Sequence, residues 1–129
     1  MFGTRFLATP ECPLSDGFKA AVLASDGHDT ILTEIPDIAR GRVWPGAYSR
    51  VMRNRLIESW AGREGELRAR RSEVGAEMAA AFKAGDASSA ALFFGQDAGL
   101  IDSIEPAADL VARLVADAEA ALRRAAARP

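Results

Sequence analysis

The chain has 129 residues, one domain or part of one, and a compact body of that size buries roughly two-thirds of its unfolded surface. Its 49% hydrophobic and 26% charged content excludes a disordered chain, and a net charge of -2 argues against a nucleic-acid footprint. A lone cysteine, Cys12, and a lone histidine, His28, can make neither an internal disulfide nor a zinc site. No apolar run approaches membrane-spanning length and the start lacks the basic-then-apolar layout of a secretory signal, so the expected setting is soluble, reducing and cytoplasmic.

Met1 to Leu7 reads as the end of a strand running into a turn, with Gly3 giving the backbone freedom that Phe2 and Phe6 would resist. Pro10 and Pro13 make the next residues a connector, since prolines so close continue neither a helix nor a central strand. Ser15 is placed to cap a helix over 16–25 with Phe18, Ala21 and Val22 on one face, and Asp26-Gly27 is placed to stop it. Thr30-Ile31-Leu32-Thr33 is a β-branched cluster suited to a strand that Pro36 ends. Residues 37–48, with Gly41, Pro45 and Gly46 around Trp44, read as ordered loop. Arg50-Val51-Met52-Arg53 fits either a short strand or a helix entry.

Asn54 suits the cap of a helix over 55–60, with Leu56, Ile57 and Trp60 at helical spacing. A longer helix is expected over 63–84, with Leu67, Val74, Met78, Ala81 and Phe82 mostly on one stripe, and Gly85-Asp86 stopping it. Gly65 and Gly75 weaken that helix by about 1 kcal/mol each relative to alanine. Residues 88–104 read as a glycine-bearing loop. Pro106 then opens a last helix whose apolar face is Leu110, Val111, Leu114, Val115, Ala118 and Leu122. Glu105 and Asp109 lie at its positive end, and Arg123, Arg124 and Arg128 at its negative end.

Read without any family, Phe2-Gly3-Thr4-Arg5 offers a glycine N–H, a hydroxyl and a guanidinium within four residues. Such a set can hold a phosphate, and it can equally be an ordinary strand-to-loop turn. Phosphate sites in eight-fold α/β barrels do cluster after strands seven and eight. His28 follows a helix stop and reads as a surface or turn histidine; Cys12 has no adjacent base and is not a candidate nucleophile. Arg50, Arg53 and Arg55 read as solvated or intramolecular ion-pairing residues, and Arg68, Arg70 and Arg71 as a solvated helix face balanced by Glu64, Glu66 and Glu73. Trp44, Trp60, Phe93 and Phe94 read as core or domain-contact residues, with Phe93-Phe94 also able to border a cofactor.

Four blocks in order resemble one family, the nitronate monooxygenases (2-nitropropane dioxygenase-like flavoproteins). Gly3-Thr4-Arg5-Phe6-Leu7-Ala8-Thr9-Pro10-Glu11 is similar to that family's closing-strand signature, and Phe18 to Leu23 with Asp29 to Thr33 to its next helix and strand. Arg50-Val51-Met52-Arg53-Asn54-Arg55-Leu56 is similar to its Arg-Val-x-Arg-Asn-Arg-Phe stretch, with leucine in place of the aromatic. Gly95-Gln96-Asp97-Ala98-Gly99-Leu100-Ile101 with Pro106 is similar to its Gly-Gln-x-x-Gly-Leu-Ile tail.

The resemblance implies an α/β fold: the last strand and mostly helical C-terminal extension of a (β/α)8 TIM-barrel flavoprotein, in fragment. Residues 1–11 would be the strand end and phosphate loop, 14–104 a helical extension, and 105–128 the terminal helix. It implies FMN as cofactor, oxidation of an alkyl nitronate by molecular oxygen, and no nucleic-acid or membrane partner. Phosphate contacts carry over to Gly3 and Thr4 with Phe2 and Arg5 as neighbours, and Gln96 with Gly95 to a loop near the flavin. The family's catalytic histidine, in a Gly-Gly-His stretch, has no counterpart here, so the chain alone is expected to be incomplete and inactive. The faces on Phe18/Val22 and Leu110/Val111/Leu114/Val115 would then be shaped against a barrel. The alternative is a self-standing helical interaction module without catalysis, which should open on a cap or polar tail rather than on a buried-type strand end.

Overall fold

The structure, a computed structural model, describes residues 3–127. The expected strand end is not a strand over its described part: Gly3–Leu7 forms a short helix, α1, and Met1 and Phe2 lie outside the described residues. Glycine and a β-branched residue in five positions give little local preference, and tertiary contacts decide the conformation.

Helix α2 covers Asp16–Ala24, and the chain turns at Gly27, whose φ of 82° is left-handed. Strand β1, Thr30–Thr33, pairs antiparallel with β2, Ser49–Met52, in the register Thr30↔Met52 to Thr33↔Ser49. The segment around Arg50 is therefore strand. Pro36 ends β1 by starting something else: α3, Ile35–Ala39, accepts proline in its first turn because no intrahelical N–H bond is needed there. That helix takes residues 37–39 out of the stretch read as loop, while 40–48 stay irregular, and β1 lies where the β-branched cluster placed a strand.

Helix α4, Arg55–Trp60, starts where Asn54 caps it: the Asn54 Oδ1 accepts from Ile57 N at 3.3 Å. Helix α5, Glu64–Ala84, ends at Gly85 in the left-handed region. A 3-10 turn spans Gln96–Leu100, and α6 runs over Ala107–Ala126 with Pro106 just before it.

Two apolar clusters form. Ile35 and Ile38 of α3, Val51 of β2, Leu56, Ile57 and Trp60 of α4, and Leu67, Val74 and Met78 of α5 make the first. Gly75 lets α3 and α5 meet, because a Cβ there would stand 2.4 Å from the Ala39 carbonyl oxygen. Phe18 and Val22 of α2, with Ala8, Leu92, Phe94, Ala98 and Ile101, make the second. The Phe18/Val22 face is thus covered by this chain itself, contrary to expectation. On α6 only Leu110 is buried; Val111, Val115 and Leu122 are exposed.

Candidate functional site

The blocks at residues 3–11 and 95–107 lie ninety residues apart in sequence and meet in space. Thr4 is buried, and its Oγ1 accepts a hydrogen bond from Gly95 N at 2.9 Å. Gly95 must be small: a Cβ there would lie 2.5 Å from Asp97 Oδ1 and 3.3 Å from Thr4 Oγ1. Arg5 points into the C-terminal segment, donating to Ser103 O at 3.0 Å, to Ala8 O at 3.2 Å and to Glu105 Oε1 at 2.6 Å. Glu105 also binds the Arg113 guanidinium, and its carboxyl is held below the usual range by hydrogen bonding to Arg113 first and to Arg5 next. Both oxygens of Glu11 accept from Ala107 N at 3.1 Å, so the connector after α1 caps the start of α6.

Gly3 stands apart from this web. A Cβ built on it meets no heavy atom within 4 Å among the described residues. At the start of α1 the first backbone N–H groups have no intrahelical acceptor. Gln96 is brought near through its backbone: a Cβ on Gly27 would come within 2.1 Å of its carbonyl oxygen, while its side chain is exposed. Gly99 likewise packs against Asp26 O, 2.4 Å from where its Cβ would sit. The glycines of the Gly-Gln-x-x-Gly-Leu-Ile loop thus seat it on α1 and on the turn after α2. Between α1, that loop and α6 lies a groove of about 560 Å³ lined by Arg5, Leu100, Glu105, Leu110, Arg113 and Leu114.

Of the aromatics read as core or contact residues, Trp60 and Phe94 are buried, whereas Trp44 and Phe93 are exposed. His28 is exposed in the turn, its backbone N–H donating to Asp26 Oδ1 at 2.8 Å. Arg50 donates to Thr30 Oγ1 at 3.1 Å, and Arg55 pairs with Asp86 at 3.7 Å, so both serve the fold. Asn54 does more than cap: its Nδ2 donates to Ala87 O and Ala90 O, each at 2.8 Å. Sequence reasoning missed Glu105, read only as an acid near a helix start; no local signal tells that its partner stands one hundred positions earlier. Among the described residues no group of three or more His, Cys, Asp or Glu could hold a metal ion, and no helix is long and apolar enough to cross a membrane.

Residues 1–117 match the family described as nitronate monooxygenase. The chain belongs to that family. It is a family of FMN-dependent oxidoreductases, which makes a flavin the cofactor to consider. Among solved structures, FabK from Thermotoga maritima is 24% identical with a TM-score of 0.75, over 95% of this chain and 37% of that one. A mutant of the same protein is 23% identical with a TM-score of 0.63, over 95% of this chain and 33% of that one. At such identities the likeness shows the fold, and with the α/β content it fits part of a TIM barrel. The chain spans little more than a third of the first of these structures. No curated protein matches it.

Proposed function

We propose that this chain is the C-terminal portion of an FMN-dependent nitronate monooxygenase, contributing the phosphate side of the cofactor site to an enzyme that oxidises alkyl nitronates with molecular oxygen. The observation that carries the reading is the family match over residues 1–117, which includes Gly3 and Thr4. The residues present fit a phosphate. Among the described residues a Cβ on Gly3 would meet no heavy atom within 4 Å. Barrel phosphate sites commonly lie after the last strands, where a short extra helix follows, and α1 is such a short helix. When bound, FMN supplies the electron chemistry. Gly3 and Thr4 would hold and orient its phosphate, with Phe2 beside them and Gln96 on the neighbouring loop. Arg5, occupied by Ser103 and Glu105, would shape the turn rather than ligate.

The family's histidine and its other flavin-cradling loops have no counterpart in these residues, and one phosphate turn cannot fix an isoalloxazine ring. The 129-residue chain with added FMN should therefore consume no oxygen with a simple alkyl nitronate. A polypeptide in which a family barrel precedes residue 1 should. In that protein Gly3→Val should expel flavin by steric exclusion, and Arg124→Ala on the far end of α6 should not. Flavin content indifferent to Gly3→Val would sink the phosphate assignment, and activity of the short chain that is lost on His28→Ala would sink the whole reading. The second reading, a helical interaction module, has one observation in its favour: two buried clusters close within the chain itself. A sharp thermal transition from a monodisperse monomer would favour it.

A further inference from the structure

We propose that Glu105 is a positioning residue for the phosphate turn, holding Gly3 and Thr4 in place through the Arg5 guanidinium. The inference rests on the phosphate reading above.

A five-residue helix such as α1 is far below the length at which helices persist unaided, so its placement must come from tertiary contacts. Those ties converge on residues 95–107. Gly95 N binds Thr4 Oγ1, Ser103 O and Glu105 Oε1 hold Arg5, Glu105 N reaches Ala8 O at 3.4 Å, and Ala107 N meets Glu11. Only one of them is an ion pair. Among the ion pairs of the described residues it is the best sheltered: the Arg5 and Glu105 side chains are 13% and 24% exposed. Arg113, at 51% exposure, pairs with Glu105, and among the described residues no hydrogen bond or ion pair joins it to α1. Deleting Glu105 leaves the sheltered guanidinium with carbonyl partners alone, and a cation so placed draws α1 out of register with Gly95.

The test uses the 129-residue chain and two nuclear magnetic resonance readouts, amide exchange and the shifts of the Gly3 and Thr4 amides on titration with inorganic phosphate. Glu105→Ala should speed exchange of the Leu7 and Ala8 amides by at least about tenfold, the factor for losing one charge-assisted hydrogen bond. Apparent phosphate affinity at Gly3 and Thr4 should fall by a similar factor, while exchange in α5 stays as it was. Arg5→Ala should do the same, the double variant should do no more, and Arg113→Ala should do neither. Unchanged α1 exchange in Glu105→Ala overturns the proposal, as does raised exchange with unaltered phosphate affinity. A wild-type chain whose Gly3 and Thr4 amides ignore phosphate overturns the phosphate reading itself, and the exchange data then report on the tie alone.

Discussion

Helices α5 and α6 are of nearly equal length, 21 and 20 residues, and treat their apolar side chains in opposite ways. Helix α5 carries a broken stripe with two glycines inside it, yet Leu67, Val74 and Met78 are sealed against α3 and α4. Helix α6 has the cleaner pattern, yet Val111, Val115 and Leu122 stand 48%, 54% and 71% exposed. An amphipathic pattern states that a face is suited to burial, not that the chain carrying it provides the cover. Whether cover exists depends on what lies opposite: α3 is brought to α5 by the strand pair and by the missing Cβ of Gly75, whereas on α6 the described residues bury Leu110 and leave Val111, Val115 and Leu122 exposed.

The largest effect separating the two helices should come from Leu67→Ala. Leu67 is fully buried in the first cluster, and truncation of a leucine in such a site costs about 2–5 kcal/mol once the cavity is included. Urea unfolding followed by circular dichroism should show the midpoint fall with the slope unchanged. A loss under half a kcal/mol would mean the contact of α5 with α3 and α4 is as open as α6.

Gly75→Ala comes next. Alanine is the better helix former, so on an isolated helix this change would stabilise by about 1 kcal/mol. Here the added methyl meets the Ala39 carbonyl at 2.4 Å, a backbone atom that cannot rotate aside, and the helices must part. Overpacking of that kind costs about 1–3 kcal/mol, and the same unfolding experiment reads it. A stabilised Gly75→Ala would show that α3 and α5 are not in register.

That glycine also marks the limit of what the residues alone disclose. Stops and one cap were legible: Gly27 and Gly85 at positive φ, and Asn54 on Ile57, each depend on one residue's own geometry, whereas Ser15 stands at the N-cap of α2 with no side-chain cap bond. Positions set by distant partners were not. Gly75 reads as a weak point in a helix until Ala39 stands against it, and Gly3–Leu7 reads as strand until Gly95, Ser103 and Glu105 are seen to hold it. The candidate site divides in the same way. Gly3 and Thr4 read in sequence as residue types suited to a phosphate, and what the structure adds is that Thr4 Oγ1 accepts from Gly95 N. The redirection of Arg5 from ligand to anchor required the fold.

A smaller effect, confined to α1, follows from the titration of Glu105. Arg113 and then Arg5 hold its carboxyl below the ordinary value, so the folded state favours the ionised form. The tie is complete above the unfolded glutamate value of about 4.3 and is lost as pH falls through the lower folded value. Asp97 and Asp102 line the same groove as Arg5, Glu105 and Arg113. Amide protection of Leu7 and Ala8, corrected for intrinsic exchange, should fall with a midpoint below 4.3. Glu105→Gln should remove that step. A step that persists in Glu105→Gln belongs to another carboxyl.

The smallest expected effect is on α6, and it bears most directly on the comparison. A side chain already in water in the folded chain loses no burial when it is replaced, so Val115→Ser and Leu122→Ser should each change unfolding free energy by less than about 0.5 kcal/mol. Serine is slightly the poorer helix former than leucine, which sets the sign as weakly destabilising. What should change is association. Val111, Val115 and Leu122 recur along one side of the helix as an uncovered apolar strip, and two copies of this chain can bury such strips against each other. Sedimentation of the wild-type chain should therefore show concentration-dependent self-association that the double serine variant lacks. In a polypeptide carrying the rest of a barrel, the same double substitution should cost several times more, because each large apolar side chain then forfeits a share of the roughly 1.5–3 kcal/mol that full burial provides. Equal costs in both proteins would mean that the barrel leaves this face open, and that α6 is turned to a different partner.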